Sequence, residues 1–353
     1  MRILHVITSL WTGGAEKLMV DLLPQLRSMG NEVELLLFNG ARTPFYEQAE
    51  TRGITIHTLG TSGNVYNPKL IFKLLKFIRR YDIIHTHNTA CQLFVPIAKC
   101  LTLGGAKLVT TEHNTFNRRR GKWLYRLPDL WMYAQYKKII CISDQTRANL
   151  EQHIGKNDKI VTIYNGVDTS SFVCPINDSR NKRNFIITMI AAFREQKDQD
   201  TLIRAMDYLP ENYSLQLVGD GQRRPVLEKL AFGKTNVKIL GIRTDIPGIL
   251  RSTDIVVLSS HWEGLSLSSI EGMASGRPFI ASDVDGLHEM VSGAGILFPE
   301  GDHIALATAI RSLCESPDKY REVAEKCQAR AKEFDISKMA KAYNSIYHEI
   351  ING

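Results

Sequence analysis

Apolar and polar positions alternate in blocks along the whole chain. Short, β-branched apolar runs fall at residues 3–7, 33–38, 54–59, 82–87, 107–112, 138–142 and 159–163. Between them lie stretches with helical spacing, such as 15–29, 68–80 and 145–153. Short strands separated by helices predict parallel βαβ units, not a sandwich. A polar stretch, 177–184, follows Asn165-Gly166-Val167-Asp168, and the alternation then restarts at 185–190, 214–218, 237–240, 255–258 and 278–282. Two long helical patterns, near 318–334 and 336–350, complete it. The pattern predicts an α/β chain of two domains, with the boundary in the polar interval.

Composition narrows this. At 353 residues there is room for two cores, and 44% hydrophobic with 23% charged residues is ordinary for a globular protein. No apolar run reaches the roughly 18 residues of a membrane helix, and the first residues are too short and strand-like for a signal peptide. A cytoplasmic protein is expected. The six cysteines are scattered without Cys-x-x-Cys spacing, which predicts buried thiols. Charge is uneven. Residues 1–167 hold 22 Lys+Arg against 12 Asp+Glu, a net +10, while 168–353 hold 22 against 25, a net −3. A basic first half suits an anionic partner such as membrane headgroups, a pyrophosphate-bearing lipid or nucleic acid, although a basic solvated surface would look the same.

Two segments carry candidate chemistry. The first strand runs into Ser9-Leu10-Trp11-Thr12-Gly13-Gly14-Ala15-Glu16 and a helix. Glycines at such a turn let backbone N–H groups approach a phosphate, but a glycine pair also makes a plain tight turn, and the spacing is neither Gly-x-Gly-x-x-Gly nor a Walker loop. The second segment is richer. The strand at 255–258 leads to Ser260-His261-Trp262-Glu263-Gly264-Leu265-Ser266-Leu267-Ser268-Ser269-Ile270-Glu271. Its serines offer caps for a helix that carries Glu271, and Gly276 ends that helix. Two carboxylates eight residues apart bracket a run of backbone amides, an arrangement suited to hydroxyl-rich groups on either side of a diphosphate.

This segment resembles the Glu-x7-Glu motif of retaining GT-B glycosyltransferases, family 4. The resemblance extends through Gly13-Gly14, the 82–87 strand, Thr111-Glu112-His113-Asn114, Ile142-Ser143, Tyr164-Asn165-Gly166-Val167-Asp168, residues 194–198, Gly219-Asp220-Gly221 and Leu240-Gly241. It implies two Rossmann-like domains whose parallel sheets face an interdomain cleft. Residues 1–168 would bind the acceptor and 169–335 the nucleotide-sugar, and the helix at 336–353 would return to the first domain. It assigns Glu263 to hydroxyls of the transferred sugar and Glu271 to the ribose. Gly14 and the amides around Gly264, Leu265, Ser266, Leu267 and Ser268 would hold phosphate and sugar oxygens. The loop Gly241, Ile242, Arg243 would hold the base, His113 would lie near the transferred sugar, and Lys197 would neutralise the leaving diphosphate. One departure stands out: many relatives carry an arginine five residues before that lysine, where this chain has Ala192. Arg194 is the candidate replacement. The resemblance implies no cofactor and no protein-bound metal.

Other residues admit other readings. His85 and His87 alternate on a strand as metal ligands can, but the sequence offers no evident third ligand. Glu112 beside His113 suits an acid/base pair or a structural carboxylate. The stretch 117–133 interleaves Arg118, Arg119, Arg120, Lys122 and Arg126 with Trp123, Tyr125, Trp131 and Tyr133. That composition suits a membrane interface, single-stranded nucleic acid, or a buried helix with a basic flank.

The expected activity is transfer of a hexose or N-acetylhexosamine from a nucleoside-diphosphate sugar, with UDP the commonest donor base. The acceptor would be a saccharide, lipid-linked in cell-surface polysaccharide synthesis, reached at the inner face of the cell membrane by peripheral attachment, with domain closure excluding water. An epimerase or phosphorylase on the same architecture is the alternative within the fold. A nucleic-acid binder is the alternative from another class, and it leaves the Glu263–Glu271 segment unexplained.

Overall fold

The computed structural model describes residues 1–11, 13–61, 63–102, 105–114, 122–176 and 184–353. They form two compact units: Met1–Gly166 together with Ile336–Gly353, and Val167–Asp335.

The first unit is a parallel sheet of β1 (Arg2–Ile7), β2 (Glu32–Leu37), β3 (Thr55–Thr58), β4 (Ile83–His87), β5 (Lys107–Glu112), β6 (Lys138–Cys141) and β7 (Ile160–Thr162). Its order is β3-β2-β1-β4-β5-β6-β7, so β1 and β4 lie at the point where the winding reverses. In an open α/β sheet, ligands bind beyond the carboxyl ends of the strands at such a point. The crossovers are α1 (Gly14–Ser28), α2 (Pro44–Thr51), α3 (Lys69–Ile78), α4 (Thr89–Thr102), α5 (Trp123–Ala134) and α6 (Asp144–Ile154). Successive strand residues face opposite sides. Leu4 and Val6 of β1 therefore join one core with α3 and α4, while Ile3 and Ile7 join another with α1.

The second unit repeats the scheme with β8 (Phe185–Ile190), α7 (Gln199–Ala205), β9 (Tyr213–Val218), α8 (Arg224–Ala231), β10 (Val237–Gly241), α9 (Ile246–Ser252) and β11 (Ile255–Leu258). It continues with α10 (Leu267–Ala274), β12 (Phe279–Ser282), α11 (Leu287–Val291), β13 (Ile296–Phe298), α12 (His303–Cys314) and α13 (Pro317–Ala331). The sheet order is β10-β9-β8-β11-β12-β13. The chain then returns to the first unit as α14 (Ile336–Asn352), which buries Ile336, Met339, Ala340, Tyr343, Tyr347 and Ile350 against α1 and the sheet. That spacing is one helical face. Five of the six cysteines are buried and none is bonded to another; Cys100 is exposed.

Candidate active site

In the second unit, β8 and β11 are neighbours, and the loops that leave their carboxyl ends are stitched together. His261 N–H donates to the Gln196 carbonyl at 2.8 Å, Gln196 Nε2 to the Trp262 carbonyl at 2.8 Å, and Ser259 Oγ to the Asp198 carbonyl at 2.7 Å. This brings Lys197 Nζ onto Glu263 Oε1, which also accepts from Ser260 Oγ at 2.6 Å. Glu263 is only 6% exposed. A buried carboxylate of this kind needs its cation, because an unpaired one carries the full cost of desolvation.

Two further features hold the loop. Asp198 adopts a left-handed backbone (φ 45°) and caps α7 by accepting from Thr201 N–H and Oγ. Burial pushes its carboxyl pKa up. Gly286 also has positive φ (83°), and a Cβ there would stand 2.4 Å from the Gly264 carbonyl and 2.5 Å from that of Glu263. Only a glycine lets this backbone lie against the loop.

Ser266 stands at the N-cap of α10, as its sequence position suggests, but its hydroxyl makes no cap bond and instead meets Ser268 Oγ at 3.0 Å. The first amides of α10 are therefore not closed by that side chain. Glu271 lies a turn further on, 4% exposed. Gly241 ends β10 with φ 69°, followed by the exposed Ile242 and Arg243. Arg194 is exposed one turn before Lys197, and its carbonyl accepts the Lys197 N–H at 3.0 Å. Leu265 packs against the unit's core, and Gly264 is half-buried.

The first unit holds a different cluster. His5 of β1 pairs in register with His85 of β4, and His87 follows two residues later on the same face. His5 is the third histidine that the sequence did not reveal, because strand register is a long-range property. The three offer ring nitrogens within 4.8 Å of one another. Their ring planes lie within 28° of parallel. The rings also take part in a chain of hydrogen bonds. His113 Nε2 meets His87 Nδ1 at 2.8 Å, and His87 Nε2 meets His5 Nδ1 at 3.0 Å. His5 Nε2 meets Tyr347 Oη at 3.3 Å, Tyr347 Oη meets His85 Nδ1 at 2.6 Å, and His85 Nε2 meets Thr111 Oγ1 at 2.8 Å. Burial lowers the pKa of His5 to about 3 and of His113 to about 4, and holds His85 and His87 well below the ordinary value.

Beside this column, Glu112 is buried and accepts from Gln92 Nε2 at 2.6 Å and Tyr133 Oη at 2.7 Å. It ties α4 and α5 to the sheet, which is the structural alternative for that carboxylate. Gly14 opens α1, with Gly13 extended and offering no side-chain cap. The carboxylate of Glu16 folds back there, so that a Cβ on Gly13 would meet Glu16 Oε2. Burial raises the Glu16 pKa, opposed by its own N–H and by Asn88. Asn88 has φ 68° and donates to Thr8 Oγ1 at 3.0 Å. An anion at the α1 terminus would displace this internal carboxylate. Neither Glu16 nor Asn88 was singled out in the sequence, although acidic residues in a first helical turn are a known signal.

Arg118, Arg119 and Arg120 lie outside the described residues. Lys122 precedes α5, on which Trp123 is 85% exposed and Leu124, Leu127 and Trp131 are also exposed. Residues 123, 127 and 131 recur every four positions, so they form an apolar stripe that faces away from the core.

Comparisons with known proteins accord with this architecture. The Glycosyltransferase Family 4 model matches residues 12–171 and that of Glycosyl transferases group 1 matches residues 184–316. The UDP-Gal:alpha-D-GlcNAc-diphosphoundecaprenol alpha-1,3-galactosyltransferase of Escherichia coli is 28% identical over 80% of this chain and 78% of its own. The putative glycosyltransferase EpsD of Bacillus subtilis is 30% identical over 76% of each. Anabaena HepE, solved in complex with UDP-glucose, has the same fold, with a TM-score of 0.85 at 23% identity over 99% of this chain and 100% of that one. The chain belongs to the family 4, group 1 glycosyltransferases. It is an enzyme of the GT-B architecture.

Proposed function

We propose that this enzyme moves a hexose or N-acetylhexosamine from a UDP-sugar to a lipid-linked saccharide, with retention at the anomeric carbon. The observation that carries the donor half is the Lys197–Glu263 pair beside the uncapped start of α10, with Glu271 on the same helix. Glu263 accepts from hydroxyls of the transferred sugar and Glu271 from the ribose. The amides of Gly264, Leu265, Ser266, Leu267 and Ser268 hold the diphosphate, aided by Gly14, and the loop Gly241, Ile242, Arg243 holds the base. His113 acts on the transferred sugar.

As the bond from the anomeric carbon to the diphosphate breaks, negative charge grows on the leaving oxygen. Lys197, the α10 amides and the exposed Arg194 stabilise it, which is usually the largest single contribution in such sites. The acceptor hydroxyl forms its new bond on the face the diphosphate leaves, and its proton passes to a phosphate oxygen. Retention follows without a protein nucleophile.

The acceptor half rests on other observations. The E. coli relative is named for a diphosphoundecaprenol acceptor. The apolar stripe of α5 adjoins the basic sequence of 118–122, and residues 1–167 carry a net +10. No helix among the described residues is long and apolar enough to cross a membrane. Attachment at the inner face of the cell membrane is then peripheral, through Arg118, Arg119, Arg120, Lys122 and Trp123, each basic residue adding about 1 kcal/mol near anionic lipid.

A thermal-shift screen of UDP, GDP and ADP sugars tests the donor. Binding at 100 times Kd adds ~2.7 kcal/mol for the true nucleotide, and no response to UDP sugars sinks that choice. Proton NMR of the first product bond reads the anomeric outcome, and an inverted product overturns retention. Co-sedimentation with anionic vesicles at low and high salt tests docking, using a variant with Arg118, Arg119, Arg120 and Lys122 neutralised. Equal pelleting of variant and wild type would leave a soluble acceptor.

A further inference from the structure

The column of histidines beneath α14 bonds directly to His113 and is not used by the chemistry described so far. His5, His85 and His87 are buried and His113 is half-buried, and desolvation lowers all four pKa values, which favours neutral imidazoles. A neutral imidazole has one N–H donor and one bare nitrogen. In a chain of such rings each link has one donor, so fixing the direction of one bond fixes all the others.

The two contacts of Tyr347 differ in length. Tyr347 Oη lies 2.6 Å from His85 Nδ1 but 3.3 Å from His5 Nε2. The short separation falls below the ordinary range for an N–H donor and suits an O–H donor, which leaves the longer contact to the N–H of His5. Tyr347 therefore donates to His85 and accepts from the N–H of His5 Nε2. His5 Nδ1 is then bare and accepts from His87 Nε2, and His87 Nδ1 is bare and accepts from His113 Nε2. On the far side, His85 Nε2 donates to Thr111 Oγ1, which in turn meets Tyr343 Oη at 3.0 Å.

We propose that His87, His5 and Tyr347 are positioning residues that lock His113 as its Nε2–H tautomer, so that it presents a bare Nδ1 as hydrogen-bond acceptor to a hydroxyl of the transferred sugar. Among the described residues, His113 has a hydrogen-bond partner on Nε2 alone. A histidine that can only accept selects a group that donates, and a sugar hydroxyl is such a group. The second nitrogen of a functional histidine commonly sets its tautomer in this way. The inference rests on the placement of His113 in glycosyl transfer, but the tautomer itself is measurable without any turnover.

The test is a long-range nitrogen-15 to proton correlation spectrum of histidine-labelled enzyme, with the His113 signals assigned by the His113→Ala variant. The expected wild-type result is a bare Nδ1 and a protonated Nε2. Tyr347→Phe keeps the packing but removes the acceptor of the His5 Nε2–H. A buried N–H without an acceptor is the costlier fault, so the His5 proton moves to Nδ1 and the whole column reverses. His113 then appears protonated on Nδ1. A protonated Nδ1 in the wild type, or an unchanged tautomer in Tyr347→Phe, overturns the proposal. If Tyr347→Phe does not fold, His87→Phe provides the second test: it cuts the link itself, and an unchanged His113 spectrum there overturns the proposal equally.

Kinetics separate this from the role of His113. Loss of an orienting partner costs about 10–100-fold in kcat with the donor KM nearly unchanged. If Tyr347→Phe reverses the tautomer and lowers kcat, both ideas stand. If the tautomer reverses but His113→Ala retains full turnover, the column sets the tautomer as proposed and the acceptor role toward the sugar falls.

Discussion

Two buried polar clusters, one in each unit, are held together in different ways. In the first, three histidines and the hydroxyls of Tyr347 and Thr111 stack beneath α14 with no net charge. In the second, Lys197 and Glu263 form an ion pair where two loops meet at the ends of β8 and β11. Neutral groups can sit deep in a core at modest cost, provided every donor finds an acceptor. The Lys197–Glu263 pair instead lies where the loops leave the carboxyl edge of the sheet, where a charged substrate can share it. The first arrangement orders protons and the second meets charge.

The sharpest way to break that contrast is to remove a charge. Lys197→Ala should lower kcat/KM by about 10²–10³, the scale of losing one charge-stabilising donor. Arg194→Ala should cost roughly tenfold, less because its exposed side chain acts through water-screened field. Steady-state kinetics with saturating acceptor checks both, and an inert Arg194 leaves the Ala192 departure without a replacement cation.

A smaller effect sharpens the division within the second unit. Glu271→Ala should weaken binding of free UDP by about 10–100-fold, since hydrogen bonds to a charged group contribute ~1.5–3 kcal/mol. Glu263→Ala should leave that affinity nearly intact and lower turnover instead. Calorimetry on both variants decides, and equal loss of UDP affinity in the two would merge their roles.

Acid should also separate the units. The folded pKa values of His5 and His113, about 3 and about 4, lie below the unfolded value near 6.5. Between those limits the unfolded chain binds more protons. Their contribution to stability is therefore full well above pH ~6.5 and falls as pH drops through that value. In the second unit, the raised pKa of Asp198 works the other way just above the ordinary carboxyl range. Pulse proteolysis with peptide mapping from pH 7 to 4.5 should release first-unit fragments first. Earlier release of the second unit would contradict the buried column.

Much of this fold was legible in the sequence because its strands are short β-branched runs that local pattern exposes. The edge strand β13 escaped, being three residues after Gly295 without alternation to mark it. The Glu263 segment was legible as a motif, and its serines suggested a capped helix, yet the Ser266 hydroxyl turned to Ser268 instead. His5 was invisible as a partner because nothing local tells a strand which neighbour it will pair with. Tyr347 was harder still: on its own helix it reads as one more apolar position.

The return of α14 sets an order of events in the life of the chain. This helix completes a core whose remaining members were made before the entire second unit. A ribosome therefore releases the first sheet with its histidine-lined face uncovered, and that face stays open while residues 167–335 emerge and fold. During synthesis the first unit is an unfinished vessel awaiting its lid. Chaperone capture, or cleavage before residue 336, would leave the second unit intact and the first exposed.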